Sequence, residues 1–345
     1  MERDGSTTKV EALAGAGGVS GSEPLTQSPI EAVAHRVVHG GRRFGVATLV
    51  DDDVLEQIRA LSDLAPLHNG PALEAIGDAR RSLPDVPHVA VFDTAFHRTI
   101  PPEAAAYAVP RRWREEWEVR RYGFHGLSVQ WAAERVPVER LVVCHLGGGC
   151  SVSAVRGGKS VETTMGFSPL EGVPMATRSG SIDAEVVLYL LRHGFLSPEE
   201  VEQALEHESG LLGLSGISDR VEELEASPEP AARLALEVFA YRVAAAVGAM
   251  AVALEGLDAL VFTAGVGERS ALVRDLVCGR LGFLGVQLDP AANAAARPDA
   301  DVAAPGSPVR IVVLEAREDV VAARAARELL ALPPQRQPEA FADAR

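Results

Sequence analysis

Two glycine-rich stretches have the residue types that meet phosphate. His145–Ser151 reads HLGGGCS and follows an apolar run, and Phe262–Ser270 reads FTAGVGERS, where another apolar run meets glycines and a helix-forming segment. Glycine allows positive φ and close approach of backbone N–H groups to an anion. The second stretch adds the positive end of a helix dipole. Neither has the Walker lysine or the full GxGxxG spacing, and a tight turn explains either alone. Together they point more strongly to nucleotide than either does singly.

Phosphoryl transfer also needs cations to absorb charge, and arginine offers a planar fork that stays protonated. Arg36 follows an apolar run in HRVVHGG, and Arg178 stands in MATRSGSID before a helix start. Each also fits a solvated surface arginine. Asp93 ends the apolar run of VAVFDTAFH, followed by Thr94 and His97. A carboxylate at a strand end suits a metal or a proton; the plainer alternative is a helix cap. RRYGFHGLS gathers Arg120, Arg121, Tyr122 and His125 ahead of a helix that Ser128 is placed to cap. There His125 is either a donor to a phosphoryl oxygen or a packed, hydrogen-bonded ring. Glu318 and Asp319 open the last helix, suiting Mg²⁺ or simply the helix dipole.

The elements that must carry these residues alternate. Strands are predicted at 32–38 and 88–92 and helices at 52–61 and 71–83, an α/β pattern. From Leu141 the order becomes strand, glycine loop, strand, Gly157-Gly158 turn, strand. Helices follow at 183–192, 198–207 and 230–254, then a strand at 259–263, a glycine turn, a helix at 270–281, a strand at 309–314 and a closing helix at 319–330. Residues 1–29 read as a loosely ordered leader and 334–345 as a frayed tail.

The 345 residues suit two lobes rather than one core. Acidic residues outnumber basic ones by 48 to 33, for a net charge of −15, which argues against nucleic acid or an anionic membrane as partner. Cys144, Cys150 and Cys278 lack metal-ligand spacing and read as buried thiols in a reducing cytosol. No uninterrupted apolar run approaches the ~20 residues of a membrane span, and no signal-peptide pattern opens the chain, so a cytoplasmic location is expected.

Taken in order, HRVVHGG (35–41), LAPLHNG (64–70), VAVFDTAFH (89–97), RRYGFHG (120–126), CHLGGG (144–149), KSVETTMGFSPLEG (159–172), TRSGSID (177–183), SGLLGLSG (209–216) and FTAGVGERS (262–270) resemble the acetate kinase family. The resemblance covers about residues 30–330. It implies an α/β, two-lobed actin-like ATPase fold of duplicated ribonuclease H-like lobes, working as a homodimer. The lobes would comprise 30–93 plus 320–333 and 94–319. The implied reaction moves a phosphoryl group reversibly from Mg·ATP to acetate, with propionate or butyrate as alternatives. By motif, Asp93 resembles the catalytic aspartate, His125 and Arg178 the transition-state stabilisers, Arg36 the arginine that binds the substrate carboxylate and Glu318 a magnesium ligand. The nucleotide would lie on His145, Leu146, Gly147, Gly148 and Gly149, near Ser218, Asp219 and Arg220, and on Gly265, Val266, Gly267, Glu268 and Arg269.

The sequence also departs from the family pattern. Nothing in residues 1–31 matches the family's opening strand and Ser-rich loop, so a first lobe short of strands, with an exposed sheet edge, is expected. Two readings stay open: a protein that begins further upstream, or a degenerate copy of weak or no activity that only binds nucleotide. Gly148 stands where the family has asparagine, Ala176 and Ser181 replace glycine and aspartate around Arg178, and Arg317 replaces asparagine before the final acidic pair.

Overall fold

The computed structural model describes residues 30–61 and 66–331, with the side chains of 66–68 left aside. The expected leader and tail, and part of the 64–70 block, lie outside the described residues. The chain begins with β1 (Val33–Val37), β2 (Thr48–Leu49), α1 (Asp52–Ala60), α2 (Pro66–Ser82) and β3 (His88–Phe92). It continues through α3 (Pro102–Ala105), α4 (Arg111–Glu116), α5 (Gly126–Arg135), β4 (Arg140–Leu146), β5 (Cys150–Arg156) and β6 (Lys159–Thr163). Next come α6 (Ala184–Arg192), α7 (Pro198–His207), α8 (Gly210–Ser215), α9 (Val221–Ala226), α10 (Pro230–Leu254), β7 (Ala259–Thr263), α11 (Ala264–Arg269), α12 (Ala271–Cys278) and α13 (Pro290–Ala295). β8 (Ala300–Asp301), β9 (Arg310–Val313) and α14 (Glu318–Leu329) complete it.

The described residues form two compact units, one of those up to Ala95 together with those from Glu318 onward, the other of Phe96–Arg317. Among the described residues, the first unit holds a three-stranded sheet in the order β1-β3-β2, with β1 parallel to β3 and β2 antiparallel. All five residues of β3 are buried, which is why it reads as an unbroken apolar run. Val37, Phe44, Val54, Ile58, Ile76 and Phe92 fill the core beneath it. α1 starts where Asp51 accepts a hydrogen bond from the Val54 amide at 2.7 Å. α2 begins at Pro66, not Pro71: the first of two prolines, free of an amide to satisfy, starts the helix, and Pro71 lies inside it.

The second unit holds a six-stranded sheet in the order β6-β5-β4-β7-β9-β8. β4, β7 and β9 run parallel, while the β4-β5-β6 meander turns antiparallel. Gly157 and Gly158 take φ of 52° and 79°, so the glycine pair makes the β5–β6 turn. α10 is long and apolar enough to cross a membrane by length and composition. Its Phe239, Val243, Val247 and Met250 are nevertheless buried within the unit, where the helix lies on β4, β5 and β6. α7 opens with a capping box, Ser197 accepting from the Glu200 amide at 3.2 Å and Glu200 from the Ser197 amide at 2.7 Å. All three cysteines are buried; burial pushes Cys150 and Cys278 up to about 12 and Cys144 well above its ordinary value.

Candidate active site

In the first unit, Asp93 follows β3 directly, and its amide donates to Val37 O at 3.0 Å. The adjacent parallel strand supplies Arg36. Its Nε donates to Asp93 Oδ1 at 2.9 Å and its Nη2 to Oδ2 at 2.6 Å, a two-pronged fork. Arg36 Nη1 lies 2.9 Å from Glu318 Oε2, in the first turn of α14. One guanidinium therefore joins three residues that the sequence singled out. Burial opposes the charge on Arg36, but Asp93 and Glu318 outweigh it and raise its pKa. With 42% of the Arg36 side chain exposed, solvent screens the cluster, whereas Asp93 is 1% exposed.

Burial, opposed by Arg36 and reinforced by Asp93 and Asp319, pushes the Glu318 carboxyl up to about 7. Carboxylate charge here exceeds what one arginine neutralises. Mg²⁺ is commonly held by one or two carboxylates together with substrate phosphates, and the Asp93–Glu318 pair fits that use. Among the described residues no group of three or more His, Cys, Asp or Glu could hold a metal. A raised carboxyl also makes stability depend on pH. Folded Glu318 keeps a proton that the unfolded chain loses above its ordinary value of 4.5, so its contribution is complete below that value and lost as pH rises through about 7. The urea midpoint is expected to fall between pH 5 and 8, and Glu318→Gln is expected to flatten that decline.

In the second unit, β4 and β7 end side by side, His145 opposite Thr263. His145–Gly149 leaves β4, and Gly265–Arg269 lies in α11. A Cβ placed on Gly147 would sit 3.5 Å from Ala264 Cβ, so the two glycine segments are neighbours. The expected glycine turn after β7 is helix instead: Ala264 takes φ of 64°, and α11 begins there. The left-handed step falls on alanine, which hides it from a search for glycine. Ser218–Arg220 reach α11 through α9: Glu222 lies 3.8 Å from Arg269, and Ser270 donates to Glu225.

His125 and Arg178 meet at the same glycine loop. A Cβ on Gly149 would lie 3.2 Å from His125 Nε2 and 3.5 Å from Arg178 Nη1. His125 stacks on His145 at 4.0 Å between centroids and 18° between planes, with its Nδ1 3.0 Å from Ser151 Oγ. His145 Nδ1 lies 2.8 Å from Ser128 Oγ. Ser128 does not cap α5 as expected; His125 holds that position in left-handed conformation, φ 58°, and Ser128 is buried one turn on. Arg178 Nε pairs with Glu206 at 3.1 Å. Burial raises the Glu206 carboxyl against the pull of Arg178. The Arg178 loop hangs on the end of α7, Thr177 Oγ1 donating to Glu206 O at 2.8 Å and the Ser179 amide to Leu205 O at 3.0 Å.

Sequence reasoning passed over Ser151, Glu206 and Arg274. Ser151 closes the HLGGGCS stretch, but the other two carry no local signal. Arg274 is 1% exposed and clamps the end of α11, donating to Gly267 O and Glu268 O at 2.9 Å each and to Asn293 Oδ1 at 2.7 Å. Arg274→Met should leave those acceptors buried and unmet, costing about 3 kcal/mol in urea unfolding.

A model of the acetokinase family matches residues 21–324. The acetate kinase of Microcystis aeruginosa is 48% identical over 306 residues, 86% of this chain and 76% of that protein. Among solved structures, a propionate kinase from Francisella tularensis superposes with a TM-score of 0.81 at 38% identity, covering 86% of this chain and 78% of its own. The acetate kinase of Entamoeba histolytica gives 0.82 at 32% identity, covering 88% and 82%. The fold is thus the actin-like ATPase fold, and the chain belongs to the acetokinase family.

Proposed function

We infer that this chain is an acetate kinase, an ATP-dependent phosphotransferase that moves the γ-phosphoryl of ATP to the acetate carboxylate and back. One carboxylate oxygen forms the new O–P bond as the bond to the β-phosphate oxygen breaks and ADP leaves. The acceptor is already ionised, so no general base is needed. The work left to the protein is positioning and neutralising charge. The observation that carries this reading is the convergence of His125 Nε2 and Arg178 Nη1 on Gly149, at 3.2 and 3.5 Å from its Cβ position. An imidazole, a guanidinium and open backbone there suit the oxygens of a travelling phosphoryl group.

In this reading the segments at 145–149, 218–220 and 265–269 hold the nucleotide. Arg36 meets the acyl carboxylate, and Asp93 and Glu318 are the oxygen donors for Mg²⁺. When bound, the cation neutralises phosphate charge. Purified protein with Mg·ATP and acetate should yield acetyl phosphate, trapped as the hydroxamate. Acetate, propionate and butyrate compared in the same assay fix the chain preference, and no product with any of them overturns the assignment.

The protein is proposed to act in the cytoplasm as a homodimer. α6 supports the second point: none of its residues is buried, and Val186, Leu188 and Tyr189 are exposed beside Ile182 and Phe195. So apolar a face suits a second copy. Light scattering should give twice the chain mass, reduced to one by Leu188→Glu with Tyr189→Glu.

A further inference from the structure

We propose that His97 is a positioning residue for His125, holding the strained turn that aims the catalytic imidazole. This rests on the role given to His125 above. His97 lies in the second unit, 1% exposed, in the short 3₁₀ turn Phe96–Thr99. Its Nε2 is 2.9 Å from the Phe124 carbonyl oxygen, and its Nδ1 is 2.8 Å from Ser160 Oγ. A carbonyl only accepts, so Nε2 carries the proton that it donates to Phe124 O, and Nδ1 meets the Ser160 hydroxyl. Ser160 is fixed in turn, its carbonyl accepting from Thr99 Oγ1 at 2.7 Å.

The bond falls on the peptide that joins Phe124 to His125. His125 has φ of 58° and Gly123 φ of 77°, so the Gly-Phe-His turn is left-handed on both sides of Phe124. Such backbone persists only where its surroundings over-determine it. The His97 ring does so twice. It donates to the middle carbonyl, and it fills the space where a Gly123 Cβ would sit, 2.7 Å from Cγ. The Tyr122 and Gly123 amides, both donating to Gly166 O at 2.9 and 3.3 Å, pin the other side. Without the His97 bond the turn can relax, and the His125 ring leaves its stack on His145 and the side of Gly149.

The test is a double-mutant cycle on the full chain with Mg·ATP and acetate. His97→Ala should lower kcat by about 10- to 100-fold with the KM for ATP changed less than about threefold, the pattern of a contact made in the transition state. In a His125→Ala background the same change should alter kcat by less than about twofold. A kcat loss equal in both backgrounds overturns the proposal. Full activity of His125→Ala alone overturns the underlying reading instead. Should His97→Ala fail to fold, Gln and Asn decide. Gln carries an amide donor as far as Phe124 O and should keep most of the activity, whereas Asn reaches only toward Ser160 and should not. Equal activity of the two variants is fatal to the idea.

Discussion

Replacing Arg178 by alanine is expected to lower kcat by about 10²- to 10³-fold, the scale of losing one preorganised charge contact to a transition state. The KM for ATP should move far less, because the nucleotide is proposed to rest on backbone at 145–149 and 265–269. Arg178→Lys should recover little. Glu206 holds the guanidinium by Nε at 3.1 Å while Nη1 faces Gly149. A lysine amine cannot satisfy the carboxylate and the phosphoryl group along one rigid fork. Gly149→Ala gives an independent check without touching charge. Its methyl would sit 3.2 Å from His125 Nε2 and 3.5 Å from Arg178 Nη1, filling the place proposed for phosphoryl oxygen. A loss of about 10-fold or more is expected, with folding intact. Hydroxamate assays on the three variants beside wild type read all of this. Wild-type turnover in Arg178→Ala would remove Arg178 from the mechanism.

What the sequence shows of this site depends on how local each cause is. β3 and β4 were legible because a strand buried on both faces is a continuous apolar run. The β5–β6 turn was legible because two left-handed residues in succession call for glycine. The strand-end positions of Asp93 and the glycine loop follow from the same logic. The start of α11 was not legible, because its left-handed residue is Ala264. Nor was the cap of α5, where a strained His125 stands in the place a serine usually takes. The family resemblance named Arg36, Asp93 and Glu318 separately, with separate tasks. That one arginine bridges both carboxylates is a fact of β1 lying parallel to β3, with α14 beside both. Glu206 on Arg178 and Arg274 on the α11 carbonyls belong to the same class. Such partners lie across elements and are set by packing, which no window of sequence contains.

That bridging gives Asp93 a second measurable consequence. Asp93→Asn keeps the size of the side chain and removes its charge, so it is expected to lower kcat by about 10²-fold or more and raise the Mg²⁺ concentration for half-maximal rate. A loss of activity alone could have several origins, but the same substitution also acts on Glu318. Burial is the largest cause of the raised Glu318 carboxyl and Asp93 adds to it, while Arg36 opposes both. With Asp93 neutral, Arg36 serves one carboxylate instead of two, and Glu318 moves back toward its ordinary value. Its proton then leaves at lower pH, so the fall in the urea midpoint between pH 5 and 8 should become shallower in Asp93→Asn. Arg36→Ala should act in the opposite sense, because it removes the only one of these influences that favours the ionised form. Glu318 then holds its proton to higher pH, and the midpoint falls over a wider range. Unfolding across pH, measured without nucleotide or metal, separates the two variants independently of turnover. Parallel pH profiles for wild type, Asp93→Asn and Arg36→Ala would mean that the bridge does not govern Glu318, and that its pull toward a cation has another source.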